Sequence, residues 1–262
     1  MDAVRLGRPV IVALVAMGLL AGCGGAGTTA SVPPAMTPGV ARHATSSDGD
    51  LLYVVMNRET YMLSWPELKV IHKLNGFAGE FPASNPNNGD VLLNGGESEW
   101  KHGASKPFAK LRLSSGENTQ GGAFNPTNND IALIMYTGYQ SRTYWVAVYS
   151  NLYSTPVTYS VPNMQDYSHL GFDSAGDLFI DGTSNDYEPI IAELPAGSSD
   201  FIDLNVNHPI RRAEDIQWDG TYITVRAGDK LYRLAVSGSM ATLVGTTTLR
   251  KAYGLAPVSW TP

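Results

Sequence analysis

Cysteine is nearly absent: Cys23 is the only one in 262 residues. The folded part of the chain therefore has no internal disulfide, whatever its redox surroundings. Charge is sparse as well, at 16% of residues, with a formal net charge of −6 and no basic cluster larger than Arg211-Arg212. Nucleic acid is excluded as a partner on that ground, because phosphate neutralisation needs clustered Lys and Arg. The apolar run Val10–Leu20 falls short of the ~20 residues that a bilayer-spanning helix needs. Catalytic strings are missing too. No Ser sits in a Gly-x-Ser-x-Gly elbow and no glycine-rich phosphate loop joins a strand to a helix. His43, His72, His102, His169 and His208 show no metal-ligand spacing. Asp48-Gly49-Asp50 and Asp173–Asp177 lack the run of oxygen ligands of a calcium loop. The reading is no metal and no cofactor.

What is present begins with an address. Arg5 and Arg8 precede the short apolar run, which ends in Leu20-Ala21-Gly22-Cys23. A basic start, a short apolar core and small residues before a cut are the features of an export signal. The tetrad resembles the bacterial lipobox, and the resemblance implies lipid modification of Cys23 as the new N-terminus. Residues 1–22 then read as a lipoprotein signal peptide. Residues 23–47, mainly Gly, Ala, Thr, Ser and Pro, read as the lipidated Cys and a flexible tether that cannot bury apolar surface. The implied location is the cell envelope, anchored to a bacterial membrane through Cys23 with the domain facing periplasm or exterior. By resemblance to Gram-negative lipoproteins, Gly24 rather than Asp after the Cys implies the outer membrane where the source has one.

Residues 48–262 carry a repeat. Ala83-Ser84-Asn85-Pro86-Asn87-Asn88-Gly89-Asp90-Val91 returns as Ala123-Phe124-Asn125-Pro126-Thr127-Asn128-Asn129-Asp130-Ile131. Related units follow at Gly171–Leu178 and Ile216–Tyr222, and half a unit at Ser47–Tyr53. From Asp50 through Asp90, Asp130 and Asp177 to Thr221 the steps are 40, 40, 47 and 44 residues. Each unit reads as a strand, a polar turn and a second strand, because Asn, Asp, Gly and Pro side chains or backbones suit tight turns. Third strands are expected at Tyr61–Leu63, Lys110–Leu113, Val146–Tyr149, Ile191–Leu194 and Leu231–Leu234. Fourth strands are expected at Val70–Leu74, Val157–Val161, Phe201–Leu204 and Ala241–Val244, and none is evident after Lys110.

Four antiparallel strands every 40 to 47 residues is the period of a propeller blade. The expected fold is all-β, a β-propeller of five four-stranded blades, six being the alternative count and a two-sheet sandwich the alternative architecture. The phrasing Gly-Asp-apolar-apolar resembles the NHL and YVTN families of propeller repeats, of which NHL members usually have six blades. The first unit lacks its innermost strand, and Ala252–Pro257 resembles one. The C-terminal strand is therefore expected to pair with the first blade and close the ring, leaving no open edge.

Propeller geometry places second-to-third loops and inter-blade loops on one face. The long ones are Asn94–Pro107, Tyr136–Thr143 and Gly182–Pro189. Irregular loops on a rigid scaffold are where binding residues concentrate. The candidates are Glu97, Trp100, His102, Tyr136, Tyr139, Arg142, Asp186 and Tyr187, with Trp100 as an exposed stacking platform; packing over their own blades is the alternative. The expected function is a non-catalytic binding or scaffold module for an envelope glycan, peptide or protein. The alternative is a hydrolase or lyase acting on carbohydrate or lactone at the ring axis. Its candidate carboxylates, by resemblance to five-bladed glycosidases, are Glu80, Glu214 and Asp215.

Overall fold

The computed structural model describes residues 51–56, 59–64, 69–74, 82–138, 141–211, 213–248 and 258–261, with the backbone alone for 54–56 and 258–261. Every regular element among them is a strand. The chain lays these strands down blade by blade. Blade 1 begins with β1 (Leu51–Met56), β2 (Glu59–Ser64) and β3 (Val70–Leu74). Blade 2 is β4 (Ala83–Ser84), β5 (Val91–Leu93), β6 (Ser98–Trp100) and β7 (Ala109–Lys110). Blade 3 is β8 (Glu117–Phe124), β9 (Ile131–Thr137), β10 (Thr143–Tyr149) and β11 (Val157–Tyr159). Blade 4 is β12 (Asp166–Phe172), β13 (Leu178–Thr183), β14 (Pro189–Leu194) and β15 (Ile202–Asp203). After β16 (Asn205–Val206), blade 5 is β17 (Asp215–Trp218), β18 (Ile223–Ala227), β19 (Lys230–Ser237) and β20 (Met240–Thr248). The last strand, β21 (Val258–Thr261), returns to blade 1.

These strands make five sheets: four are four-stranded antiparallel blades, and the fifth is such a blade extended by β16. The inner strands β21, β4, β8, β12 and β17 succeed one another side by side. The fold is a β-propeller, and the described residues supply five blades. Closure occurs as expected in kind: β21 pairs antiparallel with β1, Leu51 opposite Thr261 and Val54 opposite Val258. The pairing segment starts six residues beyond Ala252, and Ala252–Pro257 lies outside the described residues.

The middle strands explain the core. Val91–Leu93 and Ile131–Met135 are buried at every position. A blade packs a neighbour on each face, so both sides of its second strand must be apolar. Four clusters of buried residues fill the junctions between successive blades from the first to the fifth. Outer strands are exposed and short, as at β11 and β15, which limits edge-to-edge pairing. Blade 5 has the longest outer strand, and β16 covers it with a parallel pairing, Asn205 opposite Met240.

The repeat motif is a turn that also fastens blades together. Asn85 N–H donates to the Asp90 carbonyl at 2.7 Å, and Asn125 N–H donates to the Asp130 carbonyl at 2.8 Å. Each turn needs a left-handed residue: Gly89 (φ 74°), Asn129 (φ 64°), Gly176 (φ 90°) and Gly220 (φ 95°) fill that role. Asn129 stands where the others have Gly because its side chain works across the junction. Its Oδ1 accepts from Asn85 Nδ2 at 3.1 Å and Asn87 Nδ2 at 3.0 Å.

Blade 2 departs from the expected strand positions. Lys110 belongs to its fourth strand, and the third is Ser98–Trp100. The stretch Asn94–Pro107 is therefore not one loop. It is a tight turn at Asn94–Glu97, a buried strand, and a loop over 101–108 on the opposite face, beside the repeat turns. Lys101 confirms that face by pairing with Asp90 at 2.6 Å.

Candidate functional site

Trp100 is the plainest correction. It is 1% exposed and packs in the core between blades 1 and 2 with Tyr53, Leu74 and Leu93. It offers no stacking surface, because the strand that carries it is central in its sheet. His102 is half-buried on the turn face, its ring against Gly89, where an added Cβ would stand 2.7 Å from Nδ1. Glu97 accepts from Asn94 Nδ2 at 2.9 Å within its turn. The three residues thus do not form one binding loop. Tyr139, Glu80 and Cys23 lie outside the described residues.

Blades 3 and 4 do assemble an aromatic and charged group on the expected loop face. Arg142 lies over the Tyr136 ring at 4.6 Å and donates to the Tyr144 hydroxyl at 3.0 Å. That hydrogen bond, with nearby Tyr136 and Asp166, raises the Arg142 guanidinium further above its ordinary value. Tyr144 stacks on Tyr167 of β12 at 5.4 Å. Tyr187 is 77% exposed on the β13–β14 loop, with Asp186 exposed beside it. Asp166, Ser168, Gly182 and Tyr187 line a cavity of about 380 Å³ on that face.

A larger cavity, about 510 Å³, runs along the inner strands of blades 2 to 5. Phe124, Leu170, Phe172 and Trp218 contribute apolar surface, and Ser168, His169, Asp215 and Gln217 contribute polar groups. Small residues keep it open: Gly121, Gly122 and Gly171 lie in its wall. At Gly171 a Cβ would stand 2.9 Å from the Ile216 carbonyl, so only glycine allows blades 4 and 5 to approach this closely.

The placing of His169 in the cavity wall depends on a β-bulge. Strand β12 shifts register between Tyr167 and His169, leaving Ser168 as the extra residue. Without it, Tyr167, His169 and Gly171 would share a face. With it, Tyr167 joins Leu170 and Phe172 in the blade 3–4 core, and His169 turns toward blade 5. Asp181 on β13 lies directly opposite His169 and is 0% exposed. Its Oδ1 accepts from the His169 backbone N–H at 2.7 Å and lies 2.9 Å from His169 Nδ1. A carboxylate only accepts, so this contact puts the proton on Nδ1. A similar bulge in β8 places Gln120, whose Nε2 donates to the Tyr167 carbonyl at 2.9 Å.

Of Glu214 and Asp215, the proposed axial carboxylates among the described residues, Asp215 reaches the cavity. Burial holds its carboxyl above the usual range, the His169 imidazole opposes that rise, Asp181 adds to it, and Arg226 and the 3.1 Å hydrogen bond from Gln217 Nε2 oppose it. Glu214 turns away from the axis and pairs with Arg226 at 2.7 Å. Among the described residues two free carboxylates therefore do not converge there, since Asp181 is committed to His169. Sequence reasoning passed over His169 and Asp181. Their only signal is register, a His on an inner strand facing an Asp on the next, and the bulge hides it. Among the described residues no three of His, Cys, Asp and Glu are grouped to hold a metal ion.

Solved structures place the fold among propellers of other families. A gluconolactonase from Xanthomonas campestris matches with a TM-score of 0.56 at 11% identity, covering 75% of this chain and 70% of its own. A protein described as TolB from Agrobacterium tumefaciens matches with a TM-score of 0.52 at 18% identity, covering 78% of this chain and 70% of its own. TolB from Acinetobacter baumannii matches with a TM-score of 0.50 at 12% identity, covering 78% of this chain and 51% of its own. At such identities the likeness shows the fold alone. No protein-family model matches the chain, and no curated protein matches it.

Proposed function

We propose that this chain is an exported lipoprotein, acylated at Cys23 and tethered by residues 24–47, whose propeller is a non-catalytic binding module with its ligand seat on the axis. The observation that carries the binding reading is the axial cavity of about 510 Å³, largely apolar with a few polar groups in its wall. Small-molecule sites have that make-up and volumes of roughly 300–1,000 Å³. The loop-face group of Tyr136, Arg142 and Tyr187 adds a second surface where a glycan or peptide could rest its rings or carboxylates. NHL-like phrasing of the repeats agrees with a ring used as a binding scaffold.

The enzymatic alternative draws on Asp215, whose raised carboxyl faces an oriented imidazole. Among the described residues it lacks the second free carboxylate that glycoside hydrolysis needs. The binding reading predicts that a screen of envelope glycans and short peptides finds ligands that raise the melting temperature. Ser174→Trp, which places bulk at the cavity lining from an exposed turn, should abolish their binding while sparing the fold. Ligands that bind Ser174→Trp as tightly as the native chain would remove the axial seat. For the anchor, mass spectrometry of membrane-extracted protein should show an acylated N-terminal Cys23, and Cys23→Ser should leave the membrane or stay uncleaved.

A further inference from the structure

Among the described residues the charges around the axial cavity are one-sided. Asp215 and His169 are the titratable residues in its wall, and no Lys or Arg lines it among the described residues. Arg226, the cation that acts on Asp215, is spoken for: its Nη1 lies 2.7 Å from Glu214 Oε2 and its Nη2 donates to the Glu214 carbonyl at 3.1 Å. Behind His169 stands the fully buried Asp181. Two carboxylates thus face a single imidazole, and even with the imidazole protonated the set keeps one negative charge. Such a charge in a low-dielectric cleft is costly without a counter-ion. A ligand can supply one.

We propose that the axial cavity recognises a small ligand with an ammonium group on an apolar body, the ammonium pairing with Asp215 beside the Asp181-held His169. This rests on the reading that the axis is the ligand seat, and it names the chemistry of the ligand. The apolar body lies along Phe124, Phe172 and Trp218. The ammonium supplies donors to the Asp215 carboxylate, and such charge-assisted hydrogen bonds are stronger than neutral ones. Asp181 holds His169 through both its backbone N–H and its ring, so the imidazole is fixed before the ligand arrives. Burial that raises the Asp215 carboxyl agrees with a site short of positive charge. Anions are rejected by the same field.

Isothermal titration of the full chain in detergent with 2-phenylethylamine, 2-phenylethanol and phenylacetate tests this. The amine should bind about tenfold or more tighter than the alcohol, and the acid should not bind. Asp215→Asn should bring the amine down to the level of the alcohol, and Asp215→Glu should keep the preference. The Glu variant keeps the test decisive if Asn misfolds. Phenylacetate binding as well as the amine, an amine affinity unchanged in Asp215→Asn, loss of the preference in Asp215→Glu, or no binding of any of the three overturns the proposal. The failures separate. Neutral or anionic ligands that Ser174→Trp displaces would leave the axial seat standing and remove only its cation preference.

Discussion

Blades 2 and 4 carry the same kind of repeat turn and use it differently. Blade 2 makes strands of two or three residues, and its largest buried side chain, Trp100, sits in the junction with blade 1 beside Tyr53, Leu74 and Leu93. Blade 4 has three strands of six or seven residues and gives part of its inner face to a buried polar pair, His169 and Asp181. The comparison teaches where a propeller can place chemistry. Short strands leave few positions of their own from which to fill a junction. Long strands carry enough apolar contact that a bulge and a buried charge can be accommodated near the axis.

The sharpest way to break the comparison is Trp100→Ala. Removing that ring from the blade 1–2 core should cost about 3–5 kcal/mol, measured by chemical denaturation, because it is fully buried among Tyr53, Leu74 and Leu93 and its loss leaves a large cavity. A loss under about 1 kcal/mol would mean that blade 2 is not anchored there. Next in size is Asp181→Ala in blade 4, expected to cost about 2–3 kcal/mol by leaving the His169 N–H and ring without their acceptor. Asp181→Asn should cost less, since an amide oxygen can still accept one of those bonds.

Glu193 of β14 sharpens the picture from the other side of blade 4. Burial, then Asp177 and Asp173, push its carboxyl from 4.5 up to about 7. A raised carboxyl favours the protonated fold, so its cost is absent below pH 4.5, grows as pH rises, and is complete above about 7. The full displacement would correspond to about 3 kcal/mol, and contact with solvent reduces it to about 1–2 kcal/mol. Glu193→Gln should therefore gain that much stability on the native chain between pH 4.5 and 8 in parallel melts. A constant difference across that range would contradict the assignment. The smallest effect belongs to the turns. Asn129→Gly keeps the left-handed backbone but removes the bonds to Asn85 and Asn87, and should cost about 0.5–1 kcal/mol. A larger loss would make the turn fastening as important to blade 2 as Trp100.

Much of this architecture was legible in the sequence. The period of 40 to 47 residues, the Asn/Asp/Gly turns and the missing inner strand of the first unit announce repeated four-stranded sheets and closure by the tail. Those features are local, and turn chemistry ties them to residue type. The third strand of blade 2 was not legible, because Ser98-Glu99-Trp100 has neither alternation nor an apolar run. It is a strand only because Val91–Leu93 on one side and Ala109–Lys110 on the other offer it partners.

The axial site divides the same way. Asp215 could be marked from its place at the start of an inner strand. The His169–Asp181 pair could not, because one inserted residue at Ser168 decides which way every neighbouring side chain points. Sequence alone determined the repeat, the turns and the ring, since each follows from residue chemistry over a few positions. Tertiary structure decided burial, register and the polar cluster on the axis, since those depend on which strands meet and on where a bulge relieves their fit.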